Sequence, residues 1–386
     1  MRKLKKKNNL FFYFTLSLVL CMSAELTAQL EIINVRIGQG DATIIQGPIV
    51  NNKRVNILVD GGNISNRDGG NILRTVLVKR GIKHLNYVIV SHYDADHIGG
   101  IVSGTHHGVS LLLGYNGQPG SAGDDDNDGV TNWGGENNWE PDPEELGTDD
   151  DISVDHFVDR GDASPPTSQA YKKYKLMAEA QNNRISLINK DSLEKFEIDL
   201  GDGAKMTSLA ANGYVRERQA RVAKVNTENE RSLSFLVKYN DFDYLISGDL
   251  IGRTYGQENA LVEKAVGEYI NKKGYTVDVL HVNHHGANNT SEDSFLNLIK
   301  PTIAIISAGN GNDYKHPTNG TLKRLEKAKV YRIIQTSWGT TKTKVPNNVR
   351  KIHSIYQGDI IITCNRDDFE ISTKRIFKFD KNPRRD

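Results

Sequence analysis

The nine residues from 92 to 100 carry the side chains best suited to chemistry, and they read His-Tyr-Asp-Ala-Asp-His-Ile-Gly-Gly. At these spacings His92, Asp94, Asp96 and His97 cannot all face one side of a helix or a strand. They therefore belong to a turn whose backbone folds them around a cation. Because imidazole and carboxylate groups bind divalent transition metals, this stretch predicts a site for two metal ions.

The elements beside this stretch place its ligands at the end of a strand. Residues 87–90, Tyr-Val-Ile-Val, predict a buried strand, and Ile-Gly-Gly at 98–100 predicts the tight start of a helix. We therefore expect the metal site at the carboxyl end of that strand.

Two later stretches supply further candidate ligands. Residues 244–246 predict an apolar strand that ends in Ser-Gly-Asp, so Asp249 could bridge two ions. Residues 277–282 predict a strand that runs into Asn-His-His-Gly. We favour His285 as the metal ligand because Gly286 frees the backbone there, with His284 in a supporting or proton-handling role. The opposite assignment of these two histidines remains an alternative.

Two glycine-rich turns each hold one carboxylate. Asp41 ends the sequence Gly-Gln-Gly-Asp, and Asp60 begins Asp-Gly-Gly, in both cases after a predicted strand. Such carboxylates are suited to hydrogen bonding with the loops that carry metal ligands. A purely structural turn is the alternative for each, and Asp60 is the better candidate for the supporting role.

Strands and helices are mixed along the chain, which predicts an α/β sandwich. Apolar runs predict strands at 32–37, 42–45, 56–59, 87–90, 233–239, 244–246, 277–282, 302–306 and 360–363, and helical spacing predicts helices at 71–79, 258–272, 292–298 and 321–328.

Residues 103–169 are the exception, because they are polar, rich in Gly, Asp and Asn, and show little apolar periodicity. We interpret them as an insertion, either a lid over the site or a passive loop. Within it, Asp124, Asp126 and Asp128 precede a glycine as in a calcium-binding loop. Position 12 of that loop is Gly135 rather than a bidentate glutamate, so a solvated acidic loop is the alternative.

The first 28 residues predict a secretory signal peptide, with a basic start, an apolar run and a small-residue end at Ala28. A retained anchor and a lipid on Cys21 are the alternatives. Cleavage would remove five basic residues and Glu25, which changes the formal charge from +1 to −3. Cys364 would then be the single cysteine, so stability must come from core burial. We expect a periplasmic or extracellular protein with no stable membrane domain after cleavage.

These motifs together resemble the metallo-β-lactamase superfamily, whose usual signature is His-x-His-x-Asp-His. Asp94 stands where the second histidine is expected, and this departure is similar to the hydrolase domain of ComEC-type competence proteins. The resemblance implies one αββα four-layer sandwich domain over residues 29–386. It extends through motifs at residues 37–42, 58–62, 247–249, 284–286 and 314–317, in that order.

The resemblance leaves the first metal site one histidine short. In the superfamily a further histidine often completes this site, and here its candidates are His106, His107 and His156, none of them in a recognisable motif. The first site would then have His92, Asp94 and Asp249 as its protein ligands. Carboxylates are harder ligands than imidazoles, so a ligand set richer in carboxylates makes manganese a candidate beside zinc.

The expected function is hydrolysis by a hydroxide held between the two metals, with a phosphodiester, including nucleic acid, as the substrate. Asp96, His284 and His316 are the candidate catalytic residues, and His316 or His284 would position the phosphate or protonate the leaving oxygen. The alternatives are a hydrolase of small phosphocholine esters or lactones, and a non-catalytic module that binds calcium or another metal. The oligomeric state stays open.

Overall fold

The computed structural model describes residues 29–63, 69–103, 110, 112, 152–180, 183–222, 225–253, 261–339, 345, 347–365, 368–373 and 376–379. The strands are β1 (Gln29–Asn34), β2 (Thr43–Gln46), β3 (Asn56–Val59), β4 (His84–Ile89), β5 (Ser153–Asp159), β6 (Arg184–Ser186), β7 (Glu197–Gly201), β8 (Ala204–Ala211), β9 (Tyr214–Val215), β10 (Ser234–Tyr239), β11 (Phe242–Ile246), β12 (Val279–His281), β13 (Ile303–Ile306), β14 (Arg332–Gln335), β15 (His353–Ile355), β16 (Ile360–Asn365), β17 (Asp368–Ser372) and β18 (Ile376–Phe379).

The helices lie mainly between parallel strands. They are α1 (Gly69–Lys79), α2 (Ala95–Ile98), α3 (Gln169–Ala180), α4 (Lys190–Lys195), α5 (Leu261–Lys272), α6 (Asp293–Ile299) and α7 (Asn319–Lys327), with 3₁₀ turns at Asn229–Arg231, Asn283–Gly286 and Val349–Lys351.

The strands form two mixed sheets built on the same plan. The first has the order β18-β17-β16-β1-β2-β3-β4-β5-β6, and the second β15-β14-β13-β12-β11-β10-β8-β7, with β9 beside β8. Pairing in the first sheet is antiparallel from β18 to β3 and parallel from β3 to β6. In the second it is antiparallel from β7 to β11 and parallel from β11 to β15.

Alternating side chains along the strands separate three apolar layers. On β3, Ile57 and Val59 join the cluster between the two sheets, while Leu58 joins the cluster beneath α1 and α3. On β11, Tyr244 faces the other sheet, while Leu245 packs with residues of α5, α6 and α7. Helices therefore cover the outer face of each sheet, and the predicted αββα four-layer sandwich is confirmed.

The strands that lead into the chemical motifs were predicted well. The buried strand at residues 56–59 is β3, and the strands expected at 87–90, 244–246 and 277–282 correspond to β4, β11 and β12 with shifted ends. The helix predicted to start at Ile98 is different, because α2 spans Ala95–Ile98 and ends there. Asp96 and His97 therefore lie on a short helix rather than in an open turn.

The polar segment was predicted as an insertion that extends to Gln169, but the core sheet resumes before that residue, at β5. Strand β5 pairs in parallel with both β4 and β6, and Phe157 and Val158 on it are fully buried. This strand was missed because its sequence, Ser-Val-Asp-His-Phe-Val-Asp, has polar residues at four of seven positions. The C-terminal boundary of the predicted insertion is corrected to a point before β5.

Several sequence predictions fall outside the described residues. These are the signal peptide at 1–28, the candidate calcium ligands Asp124, Asp126 and Asp128, and most of the polar segment that contains them. Within the part of the chain that the structure does describe, no helix has both the length and the apolar character needed to cross a bilayer.

Candidate metal centre

The carboxyl ends of β4, β11 and β12 bring the predicted metal ligands together at one edge of the sandwich. His92 and Asp94 follow β4, and Asp96 and His97 lie on α2. Asp249 follows β11, and the tandem histidines lie in the 3₁₀ turn that follows β12. Two sheets therefore contribute to one site because the parallel parts of both end at the same edge.

Asp249 lies between two groups of imidazoles. Its Oδ1 is 3.1 Å from Nε2 of His97 and 3.6 Å from Nε2 of His285. Its Oδ2 is 3.5 Å from Nε2 of His284 and 4.0 Å from Nε2 of His92. This position between the groups agrees with the bridging role predicted for the residue.

One more carboxylate belongs to each group. Oδ2 of Asp96 is 3.5 Å from Nε2 of His285, and Oδ2 of Asp94 is 3.5 Å from Nε2 of His92. We define the inner cluster as Asp96, His97 and His285, and the outer cluster as His92, Asp94 and His284, with Asp249 between them.

Two buried carboxylates stand behind the histidines of the inner cluster. Asp60 Oδ2 is 2.8 Å from Nδ1 of His97, and it also accepts a hydrogen bond from the Ser91 hydroxyl at 2.7 Å. Asp60 further accepts from the Ser91 backbone N–H at 2.7 Å. An imidazole whose Nδ1 donates to a carboxylate presents the lone pair of Nε2 to a metal.

Asp41 lies behind His285, with Oδ1 3.3 Å from Nδ1, but the two atoms do not form a hydrogen bond and both Asp41 oxygens lack a hydrogen-bond partner among the described residues. Asp41, His97, Asp249 and His285 also offer ligand atoms that all lie within 4.8 Å of one another, so direct ligation by Asp41 is geometrically open. We favour an orienting role, because Asp41 faces the ring nitrogen other than the one that faces Asp249. The supporting role that the sequence predicted for Asp41 and Asp60 stays a prediction.

The buried carboxylates around the inner cluster favour a positive charge beside them. Burial by itself lowers the pKa of His97, but the carboxylates of Asp249 and Asp60 raise it well above the ordinary value. Burial opposes ionisation of Asp249 too, yet His97 and His285 hold the pKa of this carboxyl well below its usual range. A proton or a metal cation is therefore stabilised between Asp249 and His97.

Several buried ligand atoms of the centre lack a hydrogen-bond partner among the described residues, and a divalent cation fits such a set of atoms. Nε2 of His92, His97 and His285 and Oδ1 of Asp249 are buried and have no hydrogen-bond partner among the described residues. A buried polar atom without a partner costs about 1–3 kcal/mol, so such atoms seldom converge without a ligand. A mixed imidazole and carboxylate donor set suits zinc or manganese.

Glycines let the ligand-bearing loops approach each other. A Cβ on Gly248, which has φ of +50°, would lie 2.5 Å from the Ser91 hydroxyl oxygen. A Cβ on Gly40, with φ of +99°, would lie 1.8 Å from the Asp96 carbonyl oxygen. The loop before Asp249 and the loop before Asp41 can therefore pack on the histidine motif only with glycine at these positions.

The segment around Glu228 connects the ligand loops of the two sheets. Glu228 accepts a hydrogen bond from the Tyr93 backbone N–H at 2.9 Å and pairs with the buried guanidinium of Arg160 at 2.6 Å. The adjacent Asn229 has its side-chain nitrogen 3.3 Å from Nε2 of His284. One short segment thus contacts the motif after β4 and the tandem histidines after β12.

Sequence reasoning missed several residues of the centre. Glu228 and Asn229 lie in no motif, and Ser91 gave no signal beyond its place before His92. His281, fully buried at the end of β12, has Nε2 3.6 Å from Asp41 Oδ1 and 3.3 Å from the Ser307 hydroxyl. Its place just before the tandem histidines is the one signal that could have found it.

Five residues of the centre line a cavity of about 110 Å³: Asp94, Asp96, Asp249, His284 and His285. His316 lines this cavity, and its backbone is fixed by Asn312, whose side chain bonds to both N and O of His316 at 2.9 Å. Burial, together with the neighbouring His285 and His284, lowers the pKa of His316 to about 4. The structure thus places His316 where the sequence predicted a substrate contact.

Three nearly parallel rings lead from the inner cluster to solvent. The His285 and His316 ring centroids are 6.2 Å apart with an interplanar angle of 25°. The His316 and Tyr314 centroids are 5.9 Å apart with an angle of 29°. Tyr314 is 67% exposed and lines the cavity, so it presents an open aromatic face at the cavity mouth.

Of the three candidates for a further histidine in the first metal site, the structure describes one, and that one lies away from the cavity. His156 is on β5, where its ring stacks on Tyr87 at 5.3 Å, and it is not among the residues that line the cavity. His106 and His107 lie outside the described residues.

The chain has two facing mixed sheets covered by helices, with histidine and aspartate side chains at one edge. This is the αββα arrangement that the resemblance to the metallo-β-lactamase superfamily implied. Within that superfamily, the chain resembles the ComEC-type competence proteins in sequence, as the motifs predicted. It is 24% identical to ComE operon protein 3 of Bacillus subtilis over 351 residues, which are 87% of this chain and 35% of that protein.

A second relative matches over a shorter stretch. Competence protein ComA of Neisseria gonorrhoeae is 36% identical over 98 residues, 25% of this chain and 13% of that protein. The chain therefore spans about a third or less of the length of these curated relatives. No family model matches the chain.

Solved structures with a similar arrangement include a diphosphatase from the PhnP family and a metal-dependent hydrolase of the β-lactamase superfamily. The first has a TM-score of 0.38 and 11% identity, covering 87% of this chain and 97% of its own. The second has a TM-score of 0.39 and 12% identity, covering 85% of this chain and 98% of its own.

Proposed function

We propose that this protein is a metal-dependent hydrolase that uses two divalent cations to cleave phosphodiester bonds. The observation that carries the proposal is the position of Asp249 between the inner and outer clusters, in the lining of a cavity. Each oxygen of this one carboxylate faces a different pair of imidazoles, 3.1 to 4.0 Å away. A carboxylate so placed is suited to hold two cations close together.

Cations bound by these residues would supply Lewis-acid chemistry, which lowers the pKa of water and stabilises negative charge on a phosphoryl oxygen. The protein itself supplies orientation. Asp60 fixes the ring plane of His97 by a hydrogen bond, Asp41 lies beside Nδ1 of His285, and the short helix α2 carries Asp96 beside them.

The charge of the cavity lining supports a substrate with low negative charge. Asp94, Asp96 and Asp249 line the cavity, and among its described lining residues there is no lysine or arginine. An anionic substrate would therefore depend on bound cations for attraction. A phosphodiester carries one negative charge and a phosphomonoester carries up to two, so this lining favours the diester.

His316 and Tyr314 would contact the substrate beyond its phosphate. His316 lines the cavity opposite the clusters and can form one hydrogen bond to a phosphoryl or leaving-group oxygen. The exposed ring of Tyr314 can stack on a planar group such as a nucleobase, as aromatic side chains do when they bind single-stranded nucleic acid.

A neighbouring cavity favours a substrate that extends past the clusters. It has a volume of about 450 Å³ and shares Gln39, Gly309 and Asn312 with the lining of the first cavity. Arg36 also lines it and offers a positive charge at that end. A hydrolase of small phosphocholine esters or lactones would have no use for this second space.

The test is a substrate screen of the full chain with zinc and with manganese. It compares bis-p-nitrophenyl phosphate, single- and double-stranded DNA, phosphocholine esters and lactams. An Asp249→Asn variant purified in parallel controls for contaminating nucleases. We expect metal-dependent cleavage of the phosphodiesters that the variant lacks. Turnover of lactones or lactams alone would show a different substrate class, and bound metal without any turnover would show a binding module.

Export of the protein to the periplasm or beyond is part of the same proposal, and it is tested by locating the protein after cell fractionation.

A further inference from the structure

The outer cluster contains a histidine that the sequence did not assign to it. The motifs left one metal site with His92, Asp94 and Asp249 as its protein ligands. In the structure, Nε2 of His284 lies 3.5 Å from Oδ2 of Asp249, the same oxygen that faces His92 at 4.0 Å.

The tandem histidines point to different oxygens of that carboxylate. His285 approaches Oδ1 at 3.6 Å and has Oδ2 of Asp96 at 3.5 Å, whereas His284 approaches Oδ2. The four imidazoles around Asp249 are thus divided into two pairs. Each pair contains one histidine of the motif after β4 and one histidine of the tandem after β12.

The backbone explains how two adjacent residues can face different ways. His284 has φ of 49° and His285 has φ of 52°, so both lie in the left-handed region. Their ring planes differ by 70°, with centroids 6.2 Å apart. Residues other than glycine seldom adopt this backbone region, and such strain is concentrated at functional sites.

A backbone hydrogen bond fixes the turn that carries His284, and an amide lies beside its ring. Its backbone N–H donates to the carbonyl oxygen of Gly248 at 3.1 Å, which joins the turn to the loop that carries Asp249. The side-chain amide of Asn229 lies 3.5 Å from Nδ1 and 3.3 Å from Nε2 of the ring. The side chain of His284 is only 21% exposed.

We propose that His284 is a metal ligand of the outer cluster, so that the adjacent residues His284 and His285 bind different metal ions. His284 then takes the place of the histidine that the superfamily signature supplies from elsewhere in the chain. The inference rests on the metal-dependent function proposed above, and it adds to that function the full ligand set of the weaker site.

The test measures metal content and affinity rather than turnover. The full chain and its variants are stripped of metal, titrated with zinc by calorimetry, and analysed for bound metal by mass spectrometry. His284→Gly removes the ring and keeps the left-handed backbone accessible, and His284→Asn keeps a polar residue that tolerates positive φ. His285→Gly is the corresponding variant of the adjacent histidine. His316→Ala is the control, because it removes a histidine that lines the cavity but belongs to neither cluster.

We expect the wild type and His316→Ala to bind two ions. Both His284 variants should keep one ion with unchanged affinity and bind the other more than about 100-fold more weakly, since even partners of a ligand contribute 10–100-fold. His285→Gly should lose the other ion. Far-ultraviolet circular dichroism of each metal-free variant confirms that it is folded.

Two outcomes separate the two hypotheses. If the wild type binds two ions and both His284 variants also bind two with unchanged affinities, the assignment of His284 is overturned while the proposed function stands. If the wild type binds fewer than two ions, the two-metal basis of the proposed function fails as well.

Discussion

The inner and outer clusters share Asp249 but differ in how firmly the protein holds their other side chains. In the inner cluster, His97 and His285 each have a buried carboxylate behind the ring, from Asp60 at 2.8 Å and Asp41 at 3.3 Å. In the outer cluster, the Ser91 hydroxyl lies 3.0 Å from Nδ1 of His92, and a neutral amide lies beside His284.

Exposure separates the two clusters only in part. The side chains of Asp94 and His284 are 46% and 21% exposed, against 0% for His97 and 6% for His285. His92 of the outer cluster is fully buried, however, and the Asp96 side chain of the inner cluster is 22% exposed. Carboxylates behind a ring fix its orientation and raise its basicity, and burial excludes competing water. The hydrogen-bonded carboxylate behind His97 makes the inner cluster the more preorganised of the two, so we expect an ion bound by the outer cluster to exchange more readily.

Loss of Asp249 should have the largest effect, because this residue belongs to both clusters. Asp249→Asn keeps the size of the side chain but removes its charge. We expect both ions to be lost at micromolar metal, and phosphodiesterase activity to fall by about 10³-fold or more. Metal analysis and initial rates measure this. Loss of one ion alone would show that Asp249 serves a single site.

Removal of the carboxylates behind the rings should break the inner site selectively. Asp60→Asn and Asp41→Asn should each weaken binding of the inner ion by about 10–100-fold and leave the outer ion nearly unchanged. Stepwise calorimetric titration distinguishes the two sites. If Asp41→Asn abolished the inner site as completely as His285→Gly does, Asp41 would be a direct ligand and the orienting role would be wrong.

Asp94→Ala should affect the outer site alone, and to a smaller degree, because this carboxylate is half in solvent. We expect about tenfold weaker binding of the outer ion, with the inner ion unaffected. Activity should recover at higher manganese concentrations, so the rate is measured as a function of added metal. An equal weakening of both ions would contradict the division into two clusters.

The last prediction concerns protein stability rather than metal binding, at the residues that support the tandem histidines. Glu263 on α5 is fully buried and accepts hydrogen bonds from Asn283 Nδ2 at 2.9 Å and from the Ser291 backbone N–H at 2.7 Å. Burial raises the pKa of Glu263 from its usual 4.5 to about 7, although these donors act in the opposite direction.

A carboxyl group whose pKa is higher in the folded state favours folding most at low pH. Its contribution is fully present below pH 4.5 and is lost as the pH rises through about 7. The stability of the wild type relative to Glu263→Gln should therefore fall by about 2–3 kcal/mol between pH 4.5 and 7.5. Urea unfolding of both proteins across this range, in the absence of metal, measures the difference. A constant difference would place the pKa of Glu263 near its ordinary value.

The elements around the site were easier to predict than the rest of the fold. Buried parallel strands such as β3 and β4 are continuous apolar runs, which the sequence displays directly. Strands β5 and β7 were missed because half-polar sequences such as Glu-Ile-Asp-Leu-Gly are also compatible with loops. Pairing with neighbouring strands, which no local pattern encodes, decides their structure.

The candidate ligands show the same contrast. His92, Asp96 and His97 stand out because rare residue types recur within a few positions. Glu228 and Asn229 have no such spacing, and they reach the site only because the chain before β10 passes between the two sheets' ligand loops.

The sequence by itself determined which kinds of side chain meet at the site and the α/β class that positions them, because ligand types and apolar periodicity are local properties. Only the tertiary structure decided which oxygen of Asp249 each histidine faces. His284 and His285 are adjacent in the chain, so spacing cannot separate them. Their separation comes from two left-handed backbone conformations and from the packing of Gly248 against Ser91, which brings two sheets to one edge.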